Sequence, residues 1–233
     1  MTGRQVFVAG AHTDIGKTFV ACALIRAAGA AGLSVDALKP VASGFDPADW
    51  SESDPGRLLA ALARPATEPE LDRITPWRFT APLAPPMAAR MEGRDLPPRA
   101  IADLCAERLA ATQADLFVVE GVGGLMSPLA DGATGLDLML ALRLPVVLVG
   151  GSYLGAMSHT LTALEVLRAR GQTVACIVVS EDGHPDAPSF AASLDLVAEH
   201  AGRTPVLGAS RTGGGDWAAR ALALLPEVMS PPA

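Results

Sequence analysis

Lysine is nearly missing from this 233-residue chain: of its 18 basic residues only Lys17 and Lys39 are lysines, and the other 16 are arginines. Ordinary surface charge is thus carried by Arg. The two retained lysines mark places where a compact ammonium must enter a crowded space that a planar guanidinium does not fit. Aromatics are scarce at 4 %, basic residues form no run, and the formal charge is −7, which argues against general nucleic-acid binding. No apolar stretch reaches the roughly 18 residues that cross a bilayer. The opening Met1-Thr2-Gly3-Arg4-Gln5 leads straight into a strand without a signal peptide's apolar core and cleavage site. Cys22, Cys105 and Cys176 are the only cysteines; they lie far apart in apolar patterns without metal-type spacing, so buried free thiols are expected. These absences predict a cytoplasmic protein with no membrane or nucleic-acid partner.

What is present is apolar and periodic. Half of the residues are hydrophobic, enough to bury a substantial core in a chain of this length. Short apolar runs read as strands at Gln5–Ala9, Ser34–Leu38, Asp115–Glu120, Pro145–Val149 and Thr173–Val179, with a last one near Val206. Helical patterns fall at Lys17–Ala31, Arg57–Arg64, Ala100–Thr112, Thr134–Leu142, Ala156–Arg170, Ser189–His200 and Asp216–Leu225. Residues 44–56 read as a polar, acidic loop. The proline-rich stretch Pro65–Pro98 is expected to run over the surface with one short helix near Met87–Met91. The tail Ser230–Ala233 is expected to fray. Alternation of continuous apolar strands with helices predicts an α/β fold, one domain over residues 1–233, with a mainly parallel central sheet covered on both faces.

Both lysines sit in motifs. Gly10-Ala11-His12-Thr13-Asp14-Ile15-Gly16-Lys17-Thr18 follows the first strand and opens the first helix, the context of a P-loop. Its glycines allow a tight turn, so successive N–H groups and the helix N-terminus face an anion. Lys17 is expected to reach the β- and γ-phosphates, and Thr18 to put its hydroxyl on Mg²⁺. Five residues separate the glycines, one more than the standard four. Lys39 begins Lys39-Pro40-Val41-Ala42-Ser43-Gly44. Glu120 ends a strand and precedes Gly121-Val122-Gly123-Gly124, which places an acid at the carboxyl edge of the sheet beside the P-loop, where ligands bind. Mg²⁺ takes oxygen ligands with few protein carboxylates, and Glu120 suits that role. Asp54 is a second metal carboxylate candidate, with Asp46, Asp49 and Glu52 as competitors. His12, His159, His184 and His200 show no ligand-type clustering.

Those three motifs resemble the dethiobiotin synthetase family, and the likeness runs in order over residues 5–210. Further points of similarity are Pro76-Trp77-Arg78-Phe79, the Pro82 to Pro85 stretch with Glu92-Gly93 behind it, Leu144-Pro145-Val146-Val147-Leu148-Val149, and Leu154-Gly155 before a helix. The resemblance implies a P-loop NTPase-like single domain, commonly a homodimer. It implies ring closure of 7,8-diaminononanoate with CO₂ and ATP, through a carbamate and a carbamic–phosphoric anhydride. By the same resemblance Lys39 and Lys17 are catalytic, and Ser43 contacts the diamine. Gly155 and Ala156 at a helix start hold its carboxylate for the partner subunit. Asp14, Ile15, Gly16, Lys17, Thr18, Glu120, Gly123, Ser180 and Gly208 contact the nucleotide, and Thr18, Asp54 and Glu120 hold the metal.

The chain departs from the family pattern in two places. It contains no asparagine, and Ser180 stands where the family carries an adenine-reading Asn, so weak base discrimination is expected. Ala84-Pro85-Pro86 replaces a Ser-Pro-His. Two other classes remain open: a regulatory P-loop switch ATPase, whose signature lysine early in the loop is replaced here by Ala11 and His12, and an amidoligase-type ATPase, which would need a glutaminase domain and a nucleophilic Cys.

Overall fold

In the computed structural model, which describes residues 3–211 and 215–227, the chain begins with β1 (Arg4–Gly10), α1 (Lys17–Ala30), β2 (Val35–Leu38) and β3 (Val41–Ser43). A turn of 3₁₀ helix precedes α2 (Asp54–Ala61), α3 (Glu68–Ile74), β4 (Trp77–Phe79), α4 (Pro85–Met91) and α5 (Pro98–Ala111). Then come β5 (Leu116–Glu120), β6 (Pro128–Ala130), β7 (Ala133–Thr134), α6 (Gly135–Leu142), β8 (Val146–Gly151), α7 (Ala156–Ala169), β9 (Val174–Ser180), α8 (Phe190–His200), β10 (Val206–Ala209) and α9 (Trp217–Leu224). The expected frayed tail Ser230–Ala233 lies outside the described residues.

Six strands form one sheet in the order β10-β9-β8-β1-β5-β2, and every pairing in it is parallel. The strands are apolar at consecutive positions because both faces are covered, and period-two alternation deals their side chains to two cores. Val6, Val8, Leu116, Val118, Val147, Val149, Cys176 and Val178 pack against Val20, Leu24 and Ile25 of α1 and Trp217 of α9. Phe7, Phe117, Val119, Val146, Leu148, Ile177 and Val179 pack on the opposite face against Ile101 of α5, Leu138 of α6, Leu164 of α7 and Val197 of α8. Each fully buried side chain of this kind contributes about 1.5–3 kcal/mol over leaving it exposed.

The parallel arrangement brings Gly10, Glu120, Gly151, Ser180 and Ala209, the last residues of five strands, to one edge of the sheet. β1 is central, and the chain leaves it first toward β2 and later toward β8, which makes this edge a topological switch point.

Two expectations are corrected. Pro65–Pro98 does not run over the surface: Leu71, Ile74, Phe79, Ala88, Ala89 and Leu96 are buried. Pro69, Pro85, Pro86 and Pro98 stand in the first turns of α3, α4 and α5, where the missing N–H costs nothing and the fixed φ starts a helix rather than breaking one. β4 in the same stretch pairs in parallel with β3 as a separate two-stranded sheet. The acidic loop is also shorter than expected. Ser53 caps α2 by accepting from Gly56 N–H, and Pro55 follows in the first turn, so Asp54 is the first residue of a helix rather than part of a loop.

Candidate active site

The loop between β1 and α1 is held by glycine at both ends. A Cβ on Gly10 would fall 2.9 Å from both the His12 carbonyl oxygen and Lys17 Cδ. Gly16 has φ 95°, and a Cβ there would fall 2.8 Å from Ser180 Oγ. No side chain caps α1 and no acid lies in its first turn, so the N-terminal N–H groups and the positive end of the helix dipole are left for an anionic ligand.

Five side chains that the sequence scatters over more than 100 positions converge beside this loop. Lys17 and Thr18 are buried at the start of α1. Lys39, just past the end of β2, is buried with 2 % of its surface exposed, as is Glu120 at the end of β5, with 1 %. The Lys39 ammonium donates to Glu120 Oε1 at 2.6 Å and lies 2.7 Å from Asp54 Oδ2. Thr18 Oγ1 donates to the same Glu120 oxygen at 2.6 Å. Burial alone would lower the Lys39 pKa, but the two carboxylates outweigh it and raise it, so the ammonium is firmly charged. Asp54 is shifted down: burial opposes ionisation, and the Lys39 charge overcomes it. Lys17, whose Nζ among the described residues reaches only the His12 carbonyl at 3.5 Å, is lowered to about 8, first by burial and then by repulsion from Lys39. Phosphate oxygens would supply the counter-charge that Lys17 lacks.

The donor set fits a magnesium ion. Glu120 Oε2 is buried without a hydrogen-bond partner, an arrangement that costs about 1–3 kcal/mol unless a cation or donor meets it. Thr18, Asp54 and Glu120 offer hard oxygens, and no group of three His, Cys, Asp or Glu that could hold a metal occurs among the described residues. Mg²⁺ binds through one or two carboxylates and completes its shell with phosphate oxygens and water. Of the other acids in the loop, Asp46 accepts from Ala48 N–H and Glu52 pairs with Arg57 at the surface. Asp49 accepts from the Ser51 hydroxyl. Among these acids only Asp54 meets Lys39.

Asp14 (φ 56°), Gly16, Lys17, Thr18, Asp54 and Ser180 line one cavity of about 390 Å³. Ile15 packs beside the start of the next connection: a Cβ on Gly151 would lie 2.8 Å from Ile15 Cδ1. Gly123 belongs to a loop pressed on the P-loop, since a Cβ on neighbouring Gly124 would lie 3.3 Å from the Ala11 carbonyl oxygen. Gly155 and Ala156 begin α7, with no side-chain cap, and do not line that cavity. They border the P-loop through His12, which stacks on His159 at 5.3 Å while the Tyr153 hydroxyl contacts His159 Nδ1 at 2.7 Å. The histidine pair, not anticipated from the sequence, joins two segments 147 positions apart (159 − 12). Ser43 ends β3, half-buried. Gly208 is turned toward Phe190 and Leu194 of α8, and the cavity lining is completed by Phe19, Arg57 and Arg211. None of these three was singled out in the sequence, because each wall belongs to a different element.

A glycine-bounded loop from a central parallel strand to an uncapped helix, with a buried Lys and a strand-end acid beside it, defines a P-loop nucleotide-binding protein. A family model described as an AAA domain matches residues 4–210. An ATP-dependent dethiobiotin synthetase BioD of Phenylobacterium zucineum is 58 % identical over 92 % of this chain and 92 % of its own length. That of Methylobacterium nodulans is 51 % identical over 95 % of this chain and 98 % of its own. Among solved structures, the septum site-determining protein MinD complexed with Mg-ADP from Pyrococcus horikoshii aligns with a TM-score of 0.52 at 16 % identity, over 96 % of this chain and 87 % of that one; this likeness is one of fold. The chain belongs to the dethiobiotin synthetase family.

Proposed function

We propose that this chain is an ATP-dependent ligase of biotin synthesis that closes the ureido ring of dethiobiotin from 7,8-diaminononanoate and CO₂. One amine of the substrate takes up CO₂ as a carbamate and releases a proton. A carbamate oxygen attacks the γ-phosphorus of ATP, and ADP leaves. The neighbouring amine then attacks the carbonyl carbon of the resulting carbamic–phosphoric anhydride, closing the ring and releasing phosphate. Phosphoryl transfer of this kind depends on positioning and charge neutralisation rather than on a covalent enzyme group.

The observation that carries this reading is the buried Lys39 ammonium held between Glu120 and Asp54 beside the P-loop. A protein that only binds nucleotide has no need of a second buried lysine there. In the proposed reaction Lys39 binds the carbamate and the γ-phosphate, Ser43 contacts the diamine, and Lys17 with the α1 N-terminus holds the β- and γ-phosphates. Thr18, Asp54 and Glu120 would hold Mg²⁺, which when bound neutralises charge on the phosphate oxygens.

The substrate's distal carboxylate is assigned to the uncapped start of α7 at Gly155 and Ala156, contributed by the partner subunit of a homodimer. Leu154, beside it, is 87 % exposed, an apolar side chain that such an interface would cover. Among the described residues no helix is long and apolar enough to cross a membrane, and a cytoplasmic setting accords with the proposed substrates. The test is substrate dependence: ADP and dethiobiotin should form together only when diamine and bicarbonate are both supplied. A switch ATPase would hydrolyse ATP without them.

A further inference from the structure

The three charges that meet beside the P-loop are not held equally firmly. Glu120 ends β5, an interior strand, and is almost wholly buried, whereas the Asp54 side chain is 46 % exposed. Asp54 therefore meets Lys39 because of where α2 lies. Lys39 itself follows β2, an outer strand that pairs with β5 on one side only. Behind both stands one carboxylate, Asp36. It sits on β2 three residues before Lys39 and is buried. Its Oδ1 accepts from the Ala37 N–H at 2.8 Å and from Arg64 Nη1 at 2.9 Å, and its Oδ2 accepts from Arg73 Nη2 at 2.7 Å. Arg108 Nη2 of α5 stands 4.0 Å from the same Oδ2, and its Nη1 donates to the Arg73 carbonyl at 3.1 Å.

Two of these arginines belong to elements that carry the site. Arg64 closes the turn after α2, with its N–H on the Leu59 carbonyl at 3.0 Å, and Asp54 starts that helix. Arg73 is in α3, whose Ile74 carbonyl accepts from the Lys39 N–H at 2.8 Å. The cluster sets three guanidiniums against Asp36 and Glu70, and Glu70 Oε2 comes no nearer than 3.7 Å to Arg73 and 3.8 Å to Arg64. Without the Asp36 charge the three arginines repel one another. Asp36, Arg64, Arg73 and Arg108 line a cavity of about 460 Å³, which gives them room to part.

We propose that Asp36 is a positioning residue for the reaction: through Arg64 and Arg73 it sets where α2 and α3 lie against β2, and so holds Asp54 on the Lys39 ammonium. An eight-residue helix such as α2 is only about 12 Å long, so a shift at its Arg64 end reaches Asp54. A misplacement of about 1 Å at a reacting group can cost about a hundredfold in rate. The P-loop is built by β1 and α1, which carry none of these residues, so phosphate binding is set independently. This inference rests on the proposed reaction and adds how its central charges are placed.

The test uses Asp36→Asn, which keeps the size and removes the charge, at a temperature well below the variant's own melting point. Dethiobiotin formation should be at least about tenfold slower than in wild type, while ADP binds within about twofold of wild type. In protein carrying ¹³C-labelled lysine, the Lys39 signal should move and the Lys17 signal should stay. Arg64→Gln, which leaves Asp36 paired with Arg73, should show a milder form of the same pattern, and it decides the matter alone if Asp36→Asn does not fold. Arg64→Lys, which keeps a cation on Asp36, should recover most of the rate. Lowered melting temperatures with wild-type turnover and an unmoved Lys39 signal would overturn the proposal and leave the cluster a structural tie. ADP affinity lost in step with turnover would also overturn it, because the damage would not be confined to the Lys39 side. A moved Lys39 signal with unchanged ADP binding, in a protein whose wild type makes no dethiobiotin, would overturn the proposed reaction and leave the positioning role standing.

Discussion

Lys39 and Glu120 lie 81 positions apart in the sequence, and their side chains meet with Nζ 2.6 Å from Oε1, both almost wholly excluded from solvent. A buried charge pair of this kind is maintained only when its partners satisfy each other, and removing one leaves the other stranded.

The first prediction concerns the two lysines. Lys39→Gln and Lys39→Arg should each lower dethiobiotin formation by at least ~100-fold, because the site requires a compact charge at the transferring phosphoryl group. Nucleotide affinity should change far less in these variants than in Lys17→Gln, whose lysine faces the phosphates. Steady-state kinetics together with ADP titration check the division. Near-normal turnover by Lys39→Gln would remove the role assigned to it.

The second prediction follows from the same geometry. The Lys39 ammonium lies between the Asp54 and Glu120 carboxylates, so its charge opposes a divalent cation on the same two groups. Lys39→Gln should therefore bind Mn²⁺ more tightly than wild type in the absence of nucleotide, as read by electron paramagnetic resonance. Selective ¹³C labelling of lysine gives just two side-chain signals in this chain, and the signal from Lys39 should move when Mg²⁺ and ADP are added. A weaker Mn²⁺ affinity in the variant would contradict the competition.

The third prediction concerns the cysteines. Burial pushes the thiols of Cys22, Cys105 and Cys176 up to about 12 from an ordinary value of 9.0. At pH 8 the thiolate is then about one part in ten thousand of each, and the folded protein should resist Ellman's reagent until it unfolds. Above pH 9 the unfolded chain loses thiol protons that the folded chain keeps. The stability linked to these groups is therefore complete below about pH 9 and is lost as pH rises toward 12. Rapid labelling of a native thiol at pH 8 would contradict their burial.

The fourth prediction concerns the dimer. Leu154→Glu alters a side chain that is 87 % exposed in the single chain, so folding should be unaffected. Sedimentation should show a monomer, and turnover should fall with it, because the α7 start no longer reaches the neighbouring site. A fully active monomer would contradict the shared site.

The sheet is legible in the sequence because five of its strands are largely apolar runs, the usual pattern of parallel strands covered on both faces. The P-loop, Lys39 and Glu120 were legible because each carries its chemistry within a few neighbouring residues. Sequence alone places Asp54 level with Asp46, Asp49 and Glu52, because proximity along the chain does not rank them. The deciding signal was Ser53-Asp54-Pro55, a helix start that fixes Asp54 in α2 and brings it to Lys39. The proline-rich stretch reads as surface because prolines punctuate loops more often than they open helices, as they do here. Phe19 and Arg211 carry no local signal: they line one cavity only after α1 and the β10 exit are placed by the sheet.

The most direct measurement of the central claim is a coupled assay of ADP release and dethiobiotin formation with Mg²⁺, ATP, 7,8-diaminononanoate and bicarbonate, omitting one component at a time. The account predicts one dethiobiotin per ADP with all components present, and almost no ADP when either the diamine or bicarbonate is left out. ATP hydrolysis at the same rate without the diamine, and no dethiobiotin with it, would contradict the account.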